Sequence, residues 1–197
     1  SVRPETLALE ELIKATIARA EASPEGGAAD TMVFLGNRHQ SFPTAVIKDP
    51  VLEPVDKLVW MVIMLSVQET GSHTAFPSYG AIAQMANVAS RSTIARTIAI
   101  LRATRWLTLC GRLRKASGRF GGNLYALHDE PLPLGDVIHL DGEYLAFLHK
   151  AVRHGHARVR AVARGVLDSI DEDIQEGQNV CAQEHPIERR IRSLVGT

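Results

Sequence analysis

Residues 78–127 constrain the fold of this chain most, because they read as short elements joined by connections too tight to rearrange. "SYGAIAQMA" suits a short helix, with Ser78 as N-cap and Ile82 and Met85 on its inner side. "NVAS" leaves room only for a tight turn. "RSTIARTIAILRATRW" then places Ile94, Ile98 and Leu101 at helical spacing along an inward face, with Arg91, Ser92, Arg96 and Thr97 on the opposite one. "WLTLCGRL" alternates like a strand, "RKASGRFGG" is a basic, glycine-rich turn, and "NLYALH" is a second strand, which together make a hairpin. Upstream, "EPVDKLVWMVIMLSVQE" reads as a helix with Pro54 and Asp56 at its start. It is apolar on most faces, as a core helix is.

Helix, short helix, turn, helix, strand, basic turn, strand is the order of a winged helix-turn-helix domain. In such a domain the short helix braces the next one, whose N-terminal residues are then free to meet base edges in a DNA major groove. Arginine there can bond guanine in bidentate fashion. Serine and threonine reach phosphates or bases, and the helix N-terminus favours a phosphate. The expected fold is mostly α with a small β-hairpin: a winged helix-turn-helix domain with N- and C-terminal helical extensions. Its reading helix starts near Ser90, and Ser90, Arg91, Ser92, Thr93, Arg96 and Thr97 are the expected DNA contacts. Arg112, Arg114, Lys115 and Arg119 are the expected contacts of the hairpin.

Charge supports this reading once it is resolved along the chain. Lys+Arg and Asp+Glu are equal at 22 each, so the formal net charge is zero. Yet residues 70–128 hold no Asp or Glu, while Arg91, Arg96, Arg102, Arg105, Arg112, Arg114, Lys115 and Arg119 all fall inside them. The acids that cancel those charges lie in the flanks. Such asymmetry points to a polyanionic partner for the middle of the chain.

The flanks are less regular. Residues 4–21 have Leu9, Leu12, Ile13 and Ile17 at helical spacing, and "ASPEGGAAD" follows as a linker. "MVFL" and "TAVI" read as short extended pieces around the turn "GNRHQ". After "DEPLP", the segments "DGEYLAFLHKAVRHG" and "HARVRAVARGVLDSIDEDIQ" read as amphipathic helices, which either pack on their own domain or form a dimer interface. "ERRIRSLV" suits one more short helix, and the chain then stops without a clear cap, as a piece of a longer protein would. The expected division is an N-terminal helix and linker over 1–30, the DNA-binding domain over 31–131 and a helical extension over 132–197.

The runs "FLGNRH", "TAFPSY", "LRATRWL", "GNLYALHDEPL" and "DGEYL" together give residues 33–170 a further character. With them the chain resembles a family of proteins carried by bacterial integrative and conjugative elements and pathogenicity islands, described as island replication proteins. The resemblance implies a winged-helix fold, DNA binding, and a role in copying, maintaining or controlling a mobile element. It implies no catalytic residue.

Other chemistry is not expected. No GxxxxGK[ST] run is present, so no nucleotide hydrolysis is anticipated. His149, His154 and His156 have tempting spacing, but Arg153, Arg158 and Arg160 crowd them and oppose a cation. The bland reading of that segment is a solvated helix junction, and the functional one is an extra basic patch for phosphate. Tyr79 and Tyr125 read as packing residues, and no nucleophile lies beside an activating base. Cys110 and Cys181 read as free thiols in a reducing compartment. No secretory leader and no membrane span are visible. The expectation is a cytoplasmic, nucleoid-associated, non-enzymatic protein without cofactor or metal. Its expected partners are double-stranded DNA, a second copy of itself, and a replication, partition or transcription protein. The alternative is an adaptor that docks on DNA without sequence preference and recruits that protein through acidic termini.

Overall fold

The computed structural model describes residues 4–21, 41–69, 76–114 and 117–177. The segments "MVFL", "GNRHQ" and "ERRIRSLV" and the residues Lys115 and Cys181 lie outside them. Contacts cluster the chain into a unit ending at Gln40 and a unit beginning at Ser41. In the first, α1 (Pro4–Glu21) is a helix whose Lys14 pairs with Glu10 and Glu11, each at 3.1 Å. Its Leu7, Leu12, Ile13 and Ile17 are exposed.

The second unit is mostly helical with one two-stranded antiparallel sheet among the described residues. It runs α2 (Thr44–Lys48), α3 (Pro54–Glu69), α4 (Tyr79–Met85), α5 (Arg91–Ala103), β1 (Leu107–Arg114), β2 (Phe120–Leu127), α6 (Leu134–Leu140), α7 (Tyr144–Ala151) and α8 (Ala157–Gln175). Two elements differ from the sequence reading. "TAVI" is the helix α2 rather than an extended piece, because Pro43 sets its entry and Val46 is fully buried in the core. Burial of one residue here overrides the strand preference of valine and isoleucine. The helix α6 follows "PLP", where the sequence reading placed no helix; Pro133 is its N-cap.

α3 starts with one half of a capping box. Pro54 occupies the first turn, where its missing N–H costs nothing. The Asp56 carboxylate accepts from the Glu53 N–H at 2.8 Å. Asp56 is fully buried, and Arg158 from α8 pairs with it at 2.6 Å, with Glu53 at 2.7 Å and with the Val51 carbonyl at 2.9 Å. One arginine thus ties the last described helix to the start of α3. Farther along α3, Val59, Trp60, Val62 and Ile63 are buried. Trp60 meets Trp106 edge to face at 6.1 Å, and each indole N–H is satisfied. Trp60 donates to the His128 carbonyl at 3.0 Å and Trp106 to Asp49 at 2.7 Å.

The C-terminal helices share this core. Tyr144, Leu148, Val159 and Ala163 are buried in the same cluster as Ile94 and Leu101. The Tyr144 hydroxyl donates to the Ala103 carbonyl at 2.6 Å, and Arg102 pairs with Asp141 at 2.7 Å. Of the two readings of these helices, packing on their own domain is the one seen.

Candidate nucleic-acid interface

α4 and α5 are joined by a turn whose geometry the sequence dictates. The Ser78 hydroxyl accepts from the Ala81 N–H and starts α4. At its end, Asn87 takes a left-handed conformation (φ 53°), the Asn87 N–H reaches the Gln84 carbonyl, and the Val88 N–H reaches the Ala83 carbonyl at 2.8 Å. This is a Schellman motif, and asparagine is the residue other than glycine best suited to its left-handed position. It stops α4 sharply and delivers Ser90 to the start of α5.

The start of α5 is open. The Ser90 carbonyl accepts from the Thr93 N–H at 3.1 Å, but its hydroxyl makes no cap and instead shares a 2.6 Å hydrogen bond with Ser92. No acid occupies the first turn. The N-terminal dipole of α5 therefore meets no negative charge from its own helix. Arg91 and Ser92 are exposed, and Thr93 and Arg96 are half-buried and joined by a 2.9 Å hydrogen bond. Arg91 lies across α4: a Cβ on Gly80 would stand 3.1 Å from its guanidinium. Thr97 does not belong with them. It is 2% exposed, in one stripe with Ile94, Ile98 and Leu101, because its spacing from Ile94 and Leu101 places it inside the apolar arc. Met85, expected on the inner side of α4, is instead 47% exposed.

β1 and β2 pair from Leu107 opposite Leu127 to Arg114 opposite Phe120, with irregularities at Leu109/Gly111 and Leu113/Arg114. Gly118 takes a positive φ of 76° in the turn. Arg119 is exposed there. Arg114 ends β1, but its side chain and all of Lys115 lie outside the described residues. Arg112 is exposed and pairs with Glu143 at 2.8 Å, so an acid from beyond the acid-free run reaches the hairpin.

The acid-free run therefore does not form one basic face. Arg102 is spent on Asp141 and stacks on Phe147, 4.2 Å from the ring centre. Arg105 lies at the far end of α5, in the corner before β1. In their place the structure brings the α7–α8 junction towards α5. His156 is held below the usual histidine range, first by lost hydration and then by the charges of Arg96, His154, Arg160 and Arg158. Its imidazole caps α8 by accepting from the Arg158 N–H, and Arg160 holds the junction by donating to the His154 and Gly155 carbonyls. The segment "HKAVRHGHARVR" carried the only sequence signal for this neighbour of Arg96.

The remaining reactive groups are muted. Burial, then Tyr125, pushes the Tyr79 hydroxyl up to about 12, and Tyr125 stacks on Phe76 at 4.7 Å. Burial also raises the Cys110 thiol, against a backbone hydrogen bond from Ala126. Among the described residues no three His, Cys, Asp or Glu side chains could hold a metal ion, and no helix is long and apolar enough to cross a membrane. No known family, no curated protein and no solved structure matches the chain.

Proposed function

We propose that this protein is a winged helix-turn-helix factor that binds double-stranded DNA with sequence preference. The observation that carries the reading is the open start of α5, braced across a fixed turn by α4, with Arg91, Ser92, Thr93 and Arg96 along its accessible edge and no acid in the first turn. An α-helix fits the major groove, and arginines at its N-terminal end can reach guanine edges. The hairpin with Arg114, Lys115 and Arg119 acts as the wing and holds phosphates. Arg96 and the α7–α8 junction extend the basic edge. Two copies bind one two-fold-related site, as half-site pairing multiplies specificity. The resemblance of "FLGNRH", "TAFPSY" and "DGEYL" to island replication proteins supports a role in the replication, maintenance or transcriptional control of a bacterial mobile element.

The test is selection of binding sites by the purified protein from fragments of the host element, at fixed moderate salt. A few discrete sites are expected. Arg91→Ala or Arg96→Ala should flatten the preference among sequences by about 1–3 kcal/mol per lost base contact. Arg114→Ala or Lys115→Ala should weaken all DNA alike and lower the salt slope by about one each. Uniform weakening by all four would remove the distinction between reader and wing. Recovery of no preferred site would replace the reading with that of an adaptor docking on DNA through charge alone.

A further inference from the structure

The corner after α5 repeats the geometry of the corner after α4, with an unexpected residue in it. The Arg105 N–H reaches the Arg102 carbonyl at 3.1 Å and the Trp106 N–H reaches the Leu101 carbonyl at 2.9 Å, again a Schellman motif. The left-handed position, φ 67°, is held by Arg105. Glycine or asparagine would sit there with less strain, so the arginine side chain is retained against a backbone cost. Strain kept in this way points to a use for the side chain.

Arg105 lines a half-open cleft of about 650 Å³ between the α5–β1 corner and α8. That is the size of a small-molecule site. Val162, Val166 and Ile170 of α8 form one wall, and Ala103 and Leu134 face them. The lining follows α8 from Arg158 to Asp173, so the cleft is elongated. Gly165 lies on the same wall, and a Cβ there would meet nothing within 4 Å. Glycine weakens a helix interior, and here its missing side chain keeps the cleft open.

The charged groups around the cleft are not equivalent. Arg158 is engaged by Glu53, Asp56 and the Val51 carbonyl. Asp49 is engaged by the Val51 N–H and the Trp106 indole. Arg105 makes no ion pair among the described residues, and its Nε is buried without a hydrogen-bond partner. An arginine with no acid beside it is a ready partner for an anion that enters the cleft. Asp173, also on the lining, repels a second negative charge.

We propose that this cleft binds a small organic monoanion with an extended apolar body, such as a medium-chain carboxylate, with its head on Arg105 and its chain along α8. The site is separate from the start of α5 and does not depend on the DNA-binding reading.

The probe is dansylamino-undecanoate, whose fluorescence rises when its chain is buried. The whole 197-residue chain should take it up, and decanoate should displace it roughly tenfold better than decanol, as one charge-assisted hydrogen bond predicts. Arg105→Lys should keep that preference. Arg105→Gln should lose it, and so should Arg105→Gly, which relieves the backbone at the left-handed position, with an unchanged thermal transition as the control for folding. Gly165→Leu, which improves the helix while filling the cleft, should abolish uptake of the probe. Equal displacement by decanoate and decanol would overturn the anion site. Uptake unchanged by Gly165→Leu would overturn its location.

Discussion

Gly80 decides where Arg91 can lie. The guanidinium crosses α4 at the one place without a side chain, and an added Cβ would come within 3.1 Å of it. Gly80→Ala should raise stability by about 0.5–1 kcal/mol, since alanine suits a helix better, measured by urea unfolding. The same change should weaken binding to the preferred DNA site by displacing Arg91, measured by titration at fixed salt. A gain in stability with unchanged binding would separate Arg91 from the reading surface. At this scale the sequence was legible where spacing and chemistry agreed. Ile94, Ile98 and Leu101 were placed inward by period alone and are buried. Thr97 was misplaced because its hydroxyl suggested a polar role while its position belonged to the apolar stripe. The left-handed arginine could not have been foreseen, since nothing in the local sequence asks for that backbone at Arg105.

Between elements, a principal polar joint is the clasp of Arg158 on Asp56. The carboxylate is fully buried and the arginine side chain is 18% exposed. Arg158→Met should cost about 3 kcal/mol in denaturant unfolding, because it leaves a buried charge with only the Glu53 N–H. Arg112→Ala should cost under about 1 kcal/mol, as its pair with Glu143 is exposed on both sides. If the two variants lose equal stability, the clasp is not a joint of the fold. The helices α3, α4, α5, α7 and α8 and the hairpin were all readable from period, caps and turn residues. The exceptions share a cause. Neither α2 nor α6 has a side-chain cap of the kind by which Ser78 marks the seven-residue α4, and what holds them is burial of Val46 and Val137 against distant chain. The cleft beside α8 was equally invisible, because its walls come from segments some sixty residues apart, Ala103 and Val162 among them.

For the whole molecule, the acid-free run is a fact of composition, but how its charges are distributed in space was not legible in it. Arg102 and Arg112 are paired with acids from beyond the run, and Arg105 faces another cleft. Pairing across elements is not written in local composition. Nor was the extent of the core: Leu132, Leu134, Val137, Tyr144, Leu148, Val159 and Ala163 are all buried with the helices and hairpin that precede them. Losing several such side chains, at about 1.5–3 kcal/mol each, exceeds the roughly 5–15 kcal/mol that hold a domain folded. Residues 41–131 alone should therefore show no cooperative thermal transition by circular dichroism, whereas residues 41–177 should show one. A cooperative transition in the shorter fragment would make the C-terminal helices an accessory. The clasp also sets a schedule for synthesis. Arg158 meets the Val51 carbonyl across 107 positions of chain. At roughly 5–20 residues per second of translation, Asp56 waits about five to twenty seconds for its counter-charge. Through that interval the nascent chain holds a carboxylate it cannot yet bury, so the unit closes only as its last described helix leaves the ribosome.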